Sequence, residues 1–154
     1  MHNTFHIEIE ATPERVFYWL DDAERVMQWA KGVVENEDLV KTEAGVGSTF
    51  RQVFEENGKK MDFTGECTAY DTNKRLRVYL KSKMFDLDVD YMLEDLGGRT
   101  RLTQESDVKW NGFMKLIGPV CCLFMKKSGQ KCMEDDFGRL KALAEGQPEP
   151  AAST

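Results

Sequence analysis

The chain has 154 residues, a length typical of one domain, and a domain of this size can bury roughly 70% of the surface of its unfolded chain. Its formal net charge of −6 argues against nucleic-acid binding, because contact with a phosphate backbone needs clustered Lys and Arg. No window approaches the roughly 18 apolar residues of a transmembrane helix, and the opening residues lack the basic stretch and apolar run of a signal peptide.

Four cysteines are present, and none of them has CxxC spacing: Cys67, Cys121, Cys122 and Cys132. Adjacent Cys121 and Cys122 would point to different sides of a helix, so a disulfide framework is not expected. Free thiols in a reducing cytoplasm are the simpler interpretation. Neither histidine lies near the cysteines in sequence, which disfavours a zinc site. The sequence therefore predicts a cytoplasmic protein with no metal and no other cofactor.

Alternating apolar residues at Phe5, Ile7 and Ile9 predict a first strand, and two short helices follow it. Thr12 is a favourable N-cap, and Pro13 suits the first helical position because its missing amide would have no partner there. The second helix is predicted over residues 22–29. The predicted inward side chains of the two helices are Val16, Phe17, Leu20, Val26 and Trp29.

The middle of the chain predicts a series of strands joined by hairpins, because Asn57-Gly58 and Gly97-Gly98 are typical of tight two-residue turns. Apolar and polar residues alternate between these turns, so each strand is predicted to have one buried and one solvated face. The predicted buried side chains are Met61, Phe63, Cys67, Ala69, Leu76, Val78, Leu80, Phe85, Leu87, Val89, Tyr91 and Leu93. The strand near residue 50 is ambiguous, since its apolar residues fall on both faces.

The last predicted strand carries polar side chains on its inward face. Leu102 and Val108 should face the core, and Thr100, Gln104 and Ser106 share their parity. A buried amide or hydroxyl without a partner costs about 1 to 3 kcal/mol. Two interpretations stay open: these groups bond to other protein groups or a buried water, or they line a binding pocket.

Gly118-Pro119 predicts the start of a long closing helix. At about 100° per residue, one side of it comprises Cys122, Met125, Gly129, Cys132, Met133, Phe137, Leu140 and Ala144. The first half of this stripe has small or flexible side chains and the second half bulkier ones. We expect a loosely filled space beneath residues 122–133 and tight packing beneath residues 137–144. The alternative is that the methionines fill an irregular core. Residues 147–154 are predicted to be a disordered tail.

A second apolar set falls on the opposite side of that helix and its lead-in: Phe113, Ile117, Val120, Cys121 and Phe124. Either the lead-in over residues 111–116 covers this set, or it forms an exposed patch. An exposed patch would mark a protein partner, a homodimer contact or a membrane surface.

Signals for catalysis are weak throughout the chain. Asp86, Asp88 and Asp90 share one strand face, but an extended strand spreads them about 7 Å apart, so a charge ladder with neighbouring arginines is favoured over a metal site. Neither histidine can be paired with a nucleophile and an orienting acid. Asp136 lies near the inward side of the closing helix, where it is either a buried acid with a raised pKa or the partner of a nearby Lys or Arg. No catalytic residue is therefore predicted.

Several segments together resemble one known superfamily. They are TFHIEIEATPERVFYWLDDAERVMQW (residues 4–29), GVGS (45–48), FTGEC (63–67), NKRL (73–76) and EDDFGRLKALAEG (134–146). In this order they resemble the START-like, or SRPBCC, superfamily, and in particular its polyketide cyclase/dehydrase-like branch. The resemblance implies an α+β helix-grip fold over residues 1–146: a curved antiparallel sheet of about seven strands on a long C-terminal helix.

The resemblance also implies an internal apolar cavity, in which such proteins hold lipids, polyketides or other hydrophobic molecules. Because no acid, base or nucleophile stands out, binding of a hydrophobic ligand is placed ahead of catalysis. The alternatives are a cyclase or dehydratase, with Gln104, Ser106 and Tyr91 orienting carbonyls, and a protein-interaction module or co-chaperone. The predicted binding residues are Phe63, Cys67, Phe85, Leu87, Val89, Tyr91, Gln104, Ser106, Cys122, Met125, Gly129 and Met133.

Overall fold

The computed structural model describes residues 2–56, 58–112 and 114–146, and within these it does not describe the side chains of residues 56, 114 and 117–130. The elements in chain order are β1 (His2–Ile9), α1 (Pro13–Leu20), α2 (Ala23–Trp29), β2 (Val33–Val40), β3 (Thr49–Glu56), β4 (Lys59–Asp71), β5 (Arg75–Lys81), β6 (Phe85–Asp95), β7 (Thr100–Trp110) and α3 (Met114–Gly146).

The strands form one antiparallel sheet in the order β1-β7-β6-β5-β4-β3-β2. Every strand from β2 to β7 pairs with its neighbour in the chain, and β1 closes the far edge beside β7. The helices α1 and α2 fill the connection from β1 to β2, and α3 contacts β1, β7 and both short helices. This architecture confirms the predicted α+β helix-grip fold.

The N-terminal ends of both short helices are capped, that of α1 by Thr12 as the sequence predicts, and that of α2 by Asp22, which was predicted to be the first helical residue. The Thr12 hydroxyl accepts a hydrogen bond from the Arg15 amide at 3.4 Å. One carboxylate oxygen of Asp22 accepts from the amides of Glu24 and Arg25 at 2.9 and 3.1 Å. These bonds satisfy amides that have no partner within the helix, so the α1–α2 corner has a fixed geometry at one end of the sheet.

The turn between β6 and β7 is the tight hairpin that its glycine pair predicts. Gly97 and Gly98 both have positive φ angles, 91° and 89°, which a residue with a Cβ adopts only with strain. The Asp95 carboxylate accepts hydrogen bonds from both of their amides, at 2.9 and 3.2 Å. In the turn between β3 and β4, Gly58 also has a positive φ of 78°, while Asn57 lies outside the described residues.

Tight packing beneath the second half of α3 is confirmed. Phe137 is 2% exposed, and Leu140 and Ala144 are completely buried. The Phe137 ring lies between two other rings in nearly parallel stacks, with centroid distances of 5.1 Å to Phe5 and 5.8 Å to Trp29. This stack joins α3 to β1 and to α2, so it fixes the position of the long helix against the sheet.

The start of α3 was predicted too late. The helix begins at Met114 and continues through Gly118 and Pro119. Proline is favoured in a first turn because it needs no amide partner there. At Pro119 the helix continues although an interior proline removes one backbone hydrogen bond and crowds the carbonyl four residues earlier. The predicted apolar patch, Phe113, Ile117, Val120, Cys121 and Phe124, lies outside the described side chains, as does the predicted tail after Gly146.

One strand changes its face part-way along, which the alternation rule did not predict. In β4, Cys67 pairs with Val78, but Ala69 and not Thr68 pairs with Arg77. The extra residue is a β-bulge, and it reverses the parity of every residue after it. The prediction that Ala69 faces inward is therefore wrong, and Tyr70 packs against the core instead.

The outer face of the sheet carries the predicted ladder of charges. Arg75 makes two hydrogen bonds to Asp90, at 3.0 and 2.7 Å, and Arg77 makes two to Asp88, at 3.0 and 2.8 Å. The third carboxylate of the series, Asp86, accepts from Tyr79 and Asn111. With two hydrogen bonds from each arginine, Asp90 and Asp88 serve as ion-pair partners on the outer face of the sheet. Among the described residues no group of three or more side chains is placed to hold a metal ion.

Candidate functional site

A cavity of about 460 Å³ lies between the sheet, the α1–α2 corner and α3. Its size is within the range of about 300 to 1,000 Å³ that is typical of small-molecule sites. Apolar side chains make up much of its wall, and β3, β5, β6, α2 and α3 all contribute, for example through Phe50, Val78, Leu87, Val26 and Met133. The site is therefore built by the sheet and by both helical layers together.

Six of the twelve predicted binding residues line this cavity: Cys67, Leu87, Val89, Tyr91, Gln104 and Met133. Phe63, Phe85 and Ser106 are not among the lining residues. Phe63 is 2% exposed, and its ring packs edge-on against Phe85 at 5.5 Å, so it belongs to a second core cluster beside the cavity. The side chains of Cys122, Met125 and Gly129 lie outside the described ones, and the loose space beneath them stays a prediction.

The ambiguous strand β3 directs its phenylalanines into the cavity. Phe50 and Phe54 line the wall together with Gln52, whose side chain is buried. The Phe50 ring lies directly over Gly65 of β4, where an added Cβ would come within 2.2 Å of the ring. The glycine therefore makes room for an aromatic side chain in the wall, a role that the FTGEC segment did not reveal by itself.

Tyr70 is a lining residue that sequence reasoning missed, because the β-bulge before it has no glycine or proline to mark it. Its hydroxyl donates a hydrogen bond to the Asp21 carboxylate at 2.7 Å. Burial, followed by this bond, raises the pKa of Tyr70 to about 12. Gly45 packs on the ring so closely that an added Cβ would lie 2.4 Å from it. Tyr70 thus joins the α1–α2 corner to the β2–β3 connection at the edge of the cavity.

The polar residues of β7 divide between the two interpretations that the sequence left open. The Thr100 hydroxyl is completely buried and donates to the Ala11 carbonyl at 2.8 Å, so the protein itself satisfies it. The Gln104 side chain lines the cavity, and its buried Oε1 has no hydrogen-bond partner. Gln104 pairs directly with Tyr91 of β6 in the sheet. Among the polar side chains on the inward face of β7, Gln104 is therefore the one that lines the cavity.

Tyr91 and Asp136 bring ionisable groups to the same wall. Burial, and to a smaller extent the charge of Asp136, raises the pKa of Tyr91 well above its ordinary value, so its hydroxyl stays protonated. Burial also raises the pKa of Asp136, although its carboxylate accepts hydrogen bonds from the Lys31 amide and the Arg139 guanidinium. Asp136 is thus a partly buried acid with a raised pKa and also the partner of a nearby arginine, so both of the roles predicted as alternatives apply to it.

The two described cysteines are free thiols on the cavity wall. Cys67 is buried, and its sulfur donates to the Ala69 carbonyl at 3.4 Å. Burial raises the pKa of the Cys67 thiol, which keeps it in the less nucleophilic protonated form. Cys132 is exposed on α3, before its well-packed part. Cys67 therefore acts as a small apolar wall residue.

A family model described as polyketide cyclase / dehydrase and lipid transport matches residues 2–145, which is nearly the whole chain. The chain belongs to this family. The match confirms the resemblance to the START-like superfamily and its polyketide cyclase/dehydrase-like branch. None of the curated proteins matches the chain at a significant level.

Solved structures share the fold of this polyketide cyclase/dehydrase and lipid transport family member. A protein from Thermus thermophilus is 20% identical, covers 100% of both chains and has a TM-score of 0.78. An aromatase/cyclase from Streptomyces sp. R1128 is 14% identical over 98% of this chain and 97% of that chain, with a TM-score of 0.80. A START superfamily protein from Mycobacterium smegmatis is 20% identical over 94% and 97%, with a TM-score of 0.76. At these identities the likeness shows the fold alone.

The described helices of this family member include none that is both long and apolar enough to cross a membrane.

Proposed function

We propose that this protein binds a hydrophobic small molecule, such as a lipid or a polyketide, in the cavity between the sheet and α3, and so transports or sequesters it. The observation that carries the proposal is the cavity itself, about 460 Å³ in volume and lined largely by apolar side chains. Transfer of an apolar molecule from water to such a wall is favourable by about 25 cal/mol for each Å² buried. Membership of a family that includes lipid transport supports the same conclusion.

A neutral fluorescent probe such as Nile red tests the proposal with the purified protein. We expect the probe to bind, and its fluorescence to rise, at micromolar concentrations. Val78→Phe adds volume inside the cavity wall and should abolish binding with little loss of stability. Val34→Phe makes the same change at an exposed position of β2 outside the cavity and should leave binding unchanged.

Two outcomes would contradict a ligand cavity. One is probe binding by Val78→Phe that equals binding by Val34→Phe. The other is severe destabilisation of Val78→Phe without a change in Val34→Phe, because overpacking of a filled core costs about 1 to 3 kcal/mol. Native mass spectrometry of the purified protein is an independent test, because it shows whether a hydrophobic molecule copurifies with it.

A second candidate function, cyclase or dehydratase chemistry on a polyketide-like substrate, is favoured by one feature of the wall. Tyr91 and Gln104 are cross-strand neighbours on the cavity side of β6 and β7, where they could orient substrate carbonyls in a water-poor site. Ser106, the third residue predicted for this role, is not among the lining residues. Turnover of a polyketide surrogate that survives both Gln104→Leu and Tyr91→Phe would contradict these roles. Turnover lost in both variants, with probe binding retained, would support them.

A further inference from the structure

Oxygen acceptors dominate the polar part of the cavity wall. The carboxylates that line it come from the α1–α2 corner, β2, the β2–β3 connection and α3: Asp21, Asp22, Asp38, Glu43 and Asp136. Lys41 is the one lysine or arginine among the described lining residues, and it lies 3.8 Å from the Asp38 carboxylate. Arg139 pairs with Asp136 from outside the lining, and the other four carboxylates against one lysine still leave the wall with an excess of negative charge. Such a charge attracts a cationic group and repels an anionic one.

Two further acceptors in this wall have no hydrogen-bond partner. They are the buried oxygens Gln104 Oε1 and Asn36 Oδ1. The orientation of the Asn36 amide is fixed, because its nitrogen donates to the Ala23 carbonyl at 3.1 Å. Buried polar atoms are usually paired. Both oxygens have almost no exposed surface, so a molecule in the cavity would donate a hydrogen bond to them only after a small movement of the side chains around them.

The acceptors lie on both sides of the cavity. Gln104 is on β7 and Asp136 on α3, on the side where α3 approaches Tyr91 of β6. Asn36 and Asp38 are on β2, at the opposite edge of the sheet. A ligand whose apolar body fills the middle of the cavity would meet oxygen acceptors with its polar end in either orientation.

We propose that the polar end of the ligand is an uncharged or cationic hydrogen-bond donor, an alcohol or an amine, and that this cavity selects against carboxylates such as free fatty acids. A carboxylate would enter a cavity lined by five carboxylates and one lysine, and it would offer no proton to the two unpartnered oxygens. An ammonium or hydroxyl group would donate to them, and the ammonium group would also be attracted by the negative wall. This inference rests on the proposed function, because it needs an apolar ligand in the cavity.

Three ligands with one chain length and different polar ends provide the test: dodecylamine, dodecanol and dodecanoate. Each ligand is titrated against the full chain with bound Nile red, at pH 7 and low salt, and displacement of the probe is measured. The ligand concentration stays below the concentration at which that ligand forms micelles. We expect dodecylamine to bind about tenfold more tightly than dodecanoate, with dodecanol between them. The difference between amine and carboxylate should shrink at high salt, because salt screens the carboxylates at the edge of the cavity.

Matched double variants assign the selectivity to the cavity wall. Asp38→Asn with Glu43→Gln removes two exposed lining carboxylates, and Asp62→Asn with Glu94→Gln removes two exposed carboxylates that do not line the cavity. Both pairs change the net charge equally. We expect the preference for amine over dodecanoate to fall severalfold in the first pair and to stay at the wild-type value in the second.

The unpartnered oxygen of Gln104 is tested by Gln104→Leu, which should weaken dodecanol severalfold while dodecanoate binds as before or more tightly. Dodecanoate binding as tightly as dodecanol and dodecylamine in the wild type, or an equal loss of preference in both double variants, overturns the inference while the cavity still binds ligands. Failure of all three ligands, and of Nile red itself, instead overturns the proposed function and this inference with it.

Discussion

Truncation of Phe137 tests the packing that holds α3 on the sheet. Its ring is 2% exposed and stacks on both Phe5 and Trp29. Removal of such a ring typically costs about 3 to 5 kcal/mol, and the two aromatic pairs place Phe137→Ala in the upper part of this range. With an unfolding entropy of about 2.1 cal/mol/K per residue, a loss of about 4 kcal/mol lowers the Tm of a chain of this length by about 12 °C.

Urea unfolding and thermal melts of the purified variants measure this loss. Phe137→Leu keeps most of the buried volume and should cost only about 1.5 kcal/mol. Leu116→Ala is the exposed control on the same helix, since Leu116 is 80% exposed, and it should change stability by less than about 0.5 kcal/mol. A loss below about 1.5 kcal/mol for Phe137→Ala would refute the close packing between α3, β1 and α2.

Three further changes test particular contacts. Gly65→Ala would place a Cβ within 2.2 Å of the Phe50 ring, so we expect a loss of about 1 to 3 kcal/mol in urea unfolding and weaker Nile red binding as the ring moves into the cavity; unchanged values would contradict that contact. Thr100→Val leaves the buried Ala11 carbonyl without its donor and should cost about 1 to 3 kcal/mol in the same assay, and a neutral result would mean that this bond adds nothing. Burial raises the pKa of Asp136 above 3.8 in the folded state, so the ionised carboxylate opposes folding at neutral pH and this penalty is relieved as pH falls through the folded pKa. Asp136→Asn should therefore be more stable than the wild type at pH 7, and the gap should close towards pH 3.8; a gap that widens with acid would contradict the sign of the shift.

The regular parts of the sheet could be predicted from the sequence because each strand has one buried face. The alternation from Phe85 to Leu93 in β6 gives the correct inward side chains, since a shift by one residue would expose all of them. The same rule failed in β4, where the bulge at Thr68 turns Tyr70 inward in place of Ala69. Local composition does not mark that bulge, and only the pairing of β4 with β5 determines it.

The candidate site was predicted on one side and missed on the other. Leu87, Val89 and Tyr91 lie on a strand with strict alternation, and the structure places all three around the cavity. Asn36 and Phe50 were not predicted, because β2 and β3 have polar and apolar residues on both faces. The inward parity of Phe50 follows from the pairing of β3 with β4, and that of Asn36 follows from the pairing of β2 with β3 and from its hydrogen bond to α2. These are long-range contacts that periodicity cannot supply.

The described inward residues of α3 before and after Phe137 have different roles, which explains how one helix can both hold the fold together and border a cavity. Leu140 and Ala144 are completely buried against the sheet and the short helices, whereas Met133 and Asp136 lie on the cavity wall. Phe137 belongs to both sets, since it stacks in the core and also lines the cavity. The residues from Phe137 to Ala144 therefore stabilise the position of α3, and Met133 and Asp136 before them border the cavity. A substitution at Met133 should therefore alter the cavity wall while the aromatic stack of Phe137 and the fold stay the same.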